Sequence, residues 1–176
     1  VVAGAGLGGA GQSPAIVAAF GKSGDASKLL GFAPEVIDDL REDEYFDRII
    51  VEADGALQKP LKAPAPYEPV IPSTTDSVVM VAGVNGLGKP LNAENLFRPH
   101  IWQTLTGDVA EEPISPESLA KVVIHEKGLA KGATPRMQKV LYLNQVDTPE
   151  RLNLARRVIK VIETTAGHDI DVVACG

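Results

Sequence analysis

Val140-Leu-Tyr-Leu-Asn144-Gln-Val-Asp147-Thr-Pro-Glu150 is the stretch on which the fold reading turns. Val140 to Leu143 is an apolar run with the length of a buried strand. Thr148, Pro149 and Glu150 then supply a helix N-cap, a first-turn proline and an acid suited to the positive end of the helix dipole. Strand, short turn and capped helix in direct succession are the repeating unit of an α/β sheet. Downstream, Leu152, Ala155, Val158, Ile159 and Ile162 fall on one helical face and Arg156, Arg157 and Lys160 fall elsewhere, which predicts a long amphipathic helix. Val172 and Val173 predict a last short strand.

Working back toward the start, Val78 to Ala82 is a second apolar run, with Gly83, Gly86 and Gly88 in the turn that follows. Ser115-Pro116-Glu117 opens a helix with Leu119, Val122 and Val123 inward and Gly128 as its stop. Ile49-Ile50-Val51 reads as a central parallel strand buried on both faces, ending in Glu52-Ala53-Asp54-Gly55. Pro34 begins a short helix carrying Val36, Ile37 and Leu40 on one face. Pro14 to Phe20 reads as weakly helical, and Gly21 to Lys28 as a polar turn. Pro60, Pro64, Pro66, Pro69 and Pro72 exclude regular structure between them. The pattern predicts one α/β domain over residues 1–176, a mostly parallel sheet with helices on both faces, whose ligands bind beyond the carboxyl ends of the strands.

Composition narrows the function classes. The 176 residues carry 17 Lys and Arg against 23 Asp and Glu, a formal net charge of −6, which argues against nucleic acid and anionic membrane as partners. Cys175 is the one cysteine, so neither an internal disulfide nor a multi-thiolate metal site is expected, and a reducing cytoplasmic setting is. No apolar run approaches the roughly 18 residues that span a bilayer.

Two strand ends carry candidate chemistry. Asp54 can hold a magnesium ion through water, Gly55 lets backbone approach a phosphate, and Glu52 shares the sheet face of Asp54. Acids also end strands simply where the chain meets water, and the sequence leaves both readings open. Asn144-Gln145-Val146-Asp147 resembles the asparagine, lysine, any residue, aspartate signature by which GTPase-like proteins read guanine. The Asp147 carboxylate can accept two hydrogen bonds from a guanine edge, and the Asn144 amide can bond the base and tie neighbouring loops. Gln145 replaces the lysine whose stem covers the base, and Asn and Asp also serve as plain turn residues.

Three glycine-rich stretches approach a phosphate loop or dinucleotide fingerprint. Gly83 to Lys89 has phosphate-loop spacing, but Pro90 replaces the magnesium-binding hydroxyl and removes an N–H, so a tight turn into a helix is expected. Gly21-Lys22-Ser23 has the right ending, yet Ile16 stands where the first glycine belongs. Gly4, Gly6 and Gly9 fit the dinucleotide spacing without a hydride-transfer site to accompany them, which ranks a nicotinamide oxidoreductase last. His100, His125 and His168 are too widely spaced for a local metal motif. Cys175, after a strand end, reads either as a reactive thiol or, without a histidine or cation beside it in sequence, as a small apolar filler.

Val51-Glu52-Ala53-Asp54-Gly55-Ala56, Pro60-Leu61-Lys62-Ala63-Pro64, Glu68-Pro69-Val70-Ile71-Pro72, Gly86 to Leu91, Arg98-Pro99, Gly128 to Gly132 and the L-N-Q-V-D string together resemble the YqeC family over roughly residues 28 to 160. The resemblance implies an accessory factor for selenium-dependent molybdenum hydroxylases, active in selenium-cofactor biosynthesis, on a P-loop NTPase-like fold of the signal-recognition and MinD-like class. It implies GTP or ATP with magnesium as ligand, and the molybdenum hydroxylase or its cofactor-assembly proteins as partners. It also implies a phosphate loop near the N-terminus, so the chain, which opens on Val1, is expected to lack that unit or to keep a diverged remnant in residues 1–24. On matching positions Asp54 is the magnesium-side acid with Glu52 beside it. Lys59 and Lys62 offer ammonium groups to phosphate or an anionic cofactor. Glu68 orients the proline-rich loop or acts as a second acid, Arg98 belongs to the Arg-Pro pair, and Asn144 and Asp147 take the base. The family pattern has lysine at Gln145, and a histidine and a glutamate where Phe97 and His100 flank Arg98-Pro99. Loss of the nucleotide on a retained fold would instead leave a non-catalytic scaffold for a partner.

Overall fold

The computed structural model describes residues 2–6, 15–18, 21–22, 29–44, 46–166 and 169–176. The chain divides into two compact units, the first comprising Val1–Asp54 and Val70–Thr75, the second Gly55–Pro69 and Asp76–Gly176.

In the first unit, strands β1 (Val2–Gly6) and β2 (Ala15–Ala18) pair antiparallel, as do the two-residue strands β3 (Gly21–Lys22) and β4 (Leu29–Leu30). Helix α1 (Pro34–Glu42) buries Ile37, leaves Leu40 half-buried and exposes Val36. Strand β5 (Phe46–Val51) pairs antiparallel with the other side of β1, giving the order β2-β1-β5. Two expectations are corrected here. Residues 15–18 form a strand and not a helix, in keeping with the β-branched pair Ile16-Val17. Ile49-Ile50-Val51 lies at the edge of an antiparallel sheet, and Ile50 is 68% exposed between half-buried neighbours. A β-branched run satisfies a half-buried strand as well as a fully buried one. The fingerprint glycines Gly4 and Gly6 lie in β1, whereas Gly9 falls outside the described residues, as do Ser23 and His168.

The second unit contains β6 (Leu61–Lys62), β7 (Ser77–Gly83), β8 (Leu96–Phe97), α2 (Pro99–Thr106), α3 (Pro116–Ile124), β9 (Gln138–Asn144), α4 (Pro149–Ala166) and β10 (Asp171–Ala174). Strands β10, β9 and β7 form a parallel sheet in that order, with β9 central, and β6 pairs parallel with β8. The fold is therefore α/β with a parallel sheet, and the Val140 and Val78 runs sit where the sequence placed them. Met80, Ala82, Leu141 and Leu143 point to one sheet face and share a core with Trp102 of α2, with Leu119, Val122 and Val123 of α3, and with Ala155, Val158 and Ile162 of α4. The alternate residues Val79, Val81 and Val173 are exposed. Burial thus marks one face of the described sheet as helix-covered, where both faces were expected to be.

Both sequence-read caps are present. Ser115 Oγ accepts from Ser118 N at 3.0 Å, and Thr148 Oγ1 accepts from Arg151 N at 3.3 Å. After α3 the chain folds back so tightly that Leu129 N donates to Val122 O, and a Cβ on Gly128 would stand 1.8 Å from that same oxygen. Gly83 to Lys89 makes a single 3-10 turn over Val84–Gly86 and then runs on without entering a helix. No helix among the described residues is long and apolar enough to cross a membrane.

Candidate functional site

Three parallel strands end on one edge, and the Asn144–Asp147 loop leaves from the middle one. Asn144 Oδ1 accepts from Gln145 N at 2.8 Å, turning the chain at once. Gln145 then adopts a left-handed backbone at φ 63°, a conformation that side chains other than Gly, Asn and Asp rarely take. Val146 N donates to Cys175 O at 3.0 Å, and a Cβ on Gly176 would meet Val146 O at 2.7 Å, so this loop lies against the end of β10. Asp147 is half in solvent, and its Oδ1 accepts from Arg151 Nη1 one turn along α4, while Arg151 also reaches Gln145 O at 3.4 Å. On the other flank, Gly83 at the end of β7 is buried, with Asn85 Oδ1 and Gln145 Oε1 both crowding the side where a Cβ would project. The loop therefore presents one carboxylate and several amides at the carboxyl edge of the sheet, the position at which α/β folds bind ligands.

A second cluster forms in the same unit. Pairing of β6 with β8 sets Lys62 beside Phe97, so Lys62 and Arg98 emerge next to each other. A turn closed by Glu68 N donating to Ala65 O brings Glu68 back toward both. Arg98 binds it with two nitrogens, Nη1 to Oε2 at 2.5 Å and Nη2 to Oε1 at 2.7 Å, and Lys62 Nζ donates to Oε2 at 3.2 Å. The side chains of Glu68, Arg98 and Lys62 are only 13%, 15% and 8% exposed. The Arg98 hydrogen bonds, reinforced by Lys62, outweigh the opposing effect of burial and hold the Glu68 carboxyl down at about 2. Lys62 Nζ also donates to Gly55 O, Arg98 Nη1 to Ala63 O, and Lys131 Nζ to the carbonyls of Ala65 and Pro66. Arg98 itself has φ 64°, and its guanidinium lies 4.2 Å from the Phe97 ring centre.

The sequence-named residues thus fall into separate groups. Asn144 and Asp147 share the strand-end loop. Lys62, Glu68 and Arg98 meet, with Gly55 contributing its carbonyl; the Lys62 ammonium is turned inward onto these groups, where presentation to phosphate was expected. Lys59 Nζ donates to Glu94 O at 2.7 Å, away from them. Glu52 and Asp54 follow β5 in the other unit. Glu52 is exposed and lines a cavity of about 150 Å³ with Phe32, Ile37, Val70 and Pro72, and Asp54 is half-buried. Their strand is antiparallel, which removes the parallel-strand-end argument for placing phosphate or magnesium there. Among the described residues no group of three or more His, Cys, Asp and Glu side chains gathers as a metal cluster.

Sequence reasoning missed Asn85 and Lys131. Asn85 lies inside the stretch read as a tight turn of near phosphate-loop spacing, although an amide just past a strand end is itself a signal. Lys131 gave no signal beyond its place in G-L-A-K-G.

A model of the YqeC protein family matches residues 9–100. The "Uncharacterized protein YqeC" of Escherichia coli (strain K12) is 30% identical over 149 residues, covering 85% of this chain and 57% of that relative. The chain therefore spans a little over half the length of the curated relative. No solved structure matches the chain.

Proposed function

The chain belongs to the YqeC family, and from that premise we propose that it is a nucleotide-binding, GTPase-like accessory factor in the maturation of selenium-dependent molybdenum hydroxylases. The observation that carries the reading is the placement of Asn144-Gln145-Val146-Asp147 at the carboxyl end of the central parallel strand β9, directly before the capped helix α4. A carboxylate there has the acceptor pair that a guanine edge requires, and Asn144 keeps its amide Nδ2 for the base because its oxygen is spent on the turn. The ligand is GTP or ATP with magnesium; family resemblance, and not the geometry of β5, supports Asp54 as the magnesium-side acid with Glu52 beside it. The nucleotide state gates delivery or assembly of the cofactor on the hydroxylase or its assembly proteins, in the cytoplasm.

A specific observation also favours a second reading. Arg151 already occupies Asp147, and Lys62 is spent on Glu68 and Gly55 O, as in a scaffold that keeps the fold and binds a partner without nucleotide. Calorimetric titration with GTP, ATP and CTP in magnesium buffer, repeated with Asp147→Ala and Asp54→Asn, separates the two. Guanine-selective binding that disappears in Asp147→Ala is the expected result. Absence of heat with all three nucleotides overturns nucleotide binding by this chain and leaves the scaffold.

A further inference from the structure

Gln145 occupies a left-handed position at which glycine or asparagine would be less strained. Its side chain reaches the end of the adjacent strand. Its Oε1 lies 3.0 Å from the point a Cβ on Gly83 would occupy, and Asn85 Oδ1 lies 2.8 Å from the same point. The Asn85 oxygen is wholly shielded from solvent and accepts no hydrogen bond. A buried acceptor left in that state is costly, and one donor would remove the cost. The oxygen and nitrogen ends of a carboxamide have the same shape. Turning the Gln145 amide over sets Nε2, with its two N–H groups, against the same side of Gly83 that Asn85 Oδ1 crowds.

We infer that Asn85 and Gln145 form an amide clasp across the carboxyl ends of β7 and β9, and that Gln145 is a positioning residue fixing the Asn144–Asp147 loop. The clasp explains why glutamine can replace the lysine of the guanine-reading pattern: its side chain is directed at the neighbouring strand and not over a base. It also explains why Gly83 carries no side chain, since a Cβ would press on both amides and on Pro60 at 2.9 Å. The clasp stands on geometry alone; its role in base recognition rests on the nucleotide reading above.

The test is a ligand-free double-mutant cycle with Gln145→Met and Asn85→Leu, each close in size and without an amide, read by hydrogen exchange of the Val146 backbone N–H. That N–H reports the loop because it bonds to Cys175 O. Loss of one hydrogen bond should speed exchange about tenfold in either single variant, and the double variant should be no faster than the singles. Effects that simply multiply, or singles that exchange like the parent, overturn the clasp. Should Asn85→Leu not fold, the side-chain NH₂ of Gln145 in the unmodified protein decides by NMR. One protected proton shifted away from its partner supports the clasp, and a solvent-like pair overturns it. GTP titration of the same variants adds the functional readout, a roughly tenfold fall in preference for GTP over ATP. If the parent binds no nucleotide the functional reading fails, and the exchange cycle still decides the clasp.

Discussion

Arg98 holds Glu68 by both terminal nitrogens, Nη1 to Oε2 at 2.5 Å and Nη2 to Oε1 at 2.7 Å, joining the residue before helix α2 to a proline-rich loop 30 positions earlier. Two parallel bonds fix orientation as well as distance, which a lysine cannot do. Arg98→Lys should keep the charge and still cost on the order of 1 to 2 kcal/mol, measured by urea unfolding. Glu68→Gln should cost more, about 3 kcal/mol, because it removes the one carboxylate charge that these two sheltered cations share.

The same pair sets a pH dependence. Glu68 titrates near 2 in the folded chain against an ordinary 4.5, so as pH falls the unfolded chain takes up the proton first. Its contribution is complete above about 4.5 and is lost between 4.5 and 2, with a total on the order of 2 to 3 kcal/mol. Asp38, held near 2 by hydroxyl and backbone donors of Thr74 and Ser73, titrates in the same window. The decisive measurement is therefore the difference between parent and Glu68→Gln unfolding curves from pH 5 to 2. A constant difference across that range would remove Glu68 as the source.

Gly128 leaves no room for a side chain. A Cβ there would fall 1.8 Å from Val122 O and 2.9 Å from His125 O, backbone atoms that cannot swing aside. Gly128→Ala should destabilise by about 1 to 3 kcal/mol or more through forced backbone movement, seen as a fall of several degrees in Tm. Gly88→Ala, with open space around it but φ 78°, should cost about 1 kcal/mol from backbone strain alone.

The parallel core was legible because its signals were local and redundant. Leu141 and Leu143 are buried by a strand whose following helix announces itself through Thr148 and Pro149, and Ser115 does the same for α3. Ile49 to Val51 misled because burial on one face and on two faces produces the same β-branched run, and only pairing with β1 tells them apart. A short motif marked Asn144 and Asp147, and the structure sets both in the loop that leaves β9. The Glu68, Lys62 and Arg98 cluster was visible only as strings, since nothing in their spacing of 6 and 30 positions announces a meeting. The Asn85 and Gln145 approach depends on the left-handed turn at residue 145, which glutamine does not advertise.

Trp102 tests the polar part of that core. Its indole Nε1 donates to Ser118 Oγ at 2.7 Å and to Asp108 Oδ2 at 3.2 Å, and Ser118 in turn donates to Asp108. All three partners are satisfied, so removing the middle one should cost more than its small apolar change suggests. Ser118→Ala should lose about 1 to 3 kcal/mol. Trp102→Phe combined with Ser118→Ala should be less than additive, because the two changes remove one shared network. Additive losses in a denaturant cycle would show that the two side chains act independently.

Asp147 offers the sharpest test of the proposed nucleotide reading, on which the following expectations rest. Its carboxylate is an acceptor at both oxygens, and one of these carries Arg151 in an exposed i, i+4 pair, the kind worth roughly 0.5 kcal/mol or less. A ligand edge with two donors can displace that partner at little cost, so Arg151→Ala should leave Tm nearly unchanged and raise GTP affinity a few-fold at most. Asp147→Asn changes the pattern from two acceptors to one acceptor and one donor. Guanine then meets an N–H where it needs an oxygen, and GTP affinity should fall by about 10- to 100-fold, the worth of a hydrogen bond to a charged group. A base with a carbonyl in place of the guanine amino group presents the complementary edge, so XTP should bind Asp147→Asn better than GTP does. Competition titration of GTP against XTP on the parent and on Asp147→Asn reads the exchange of preference directly, and equal ratios in both proteins would separate Asp147 from base recognition.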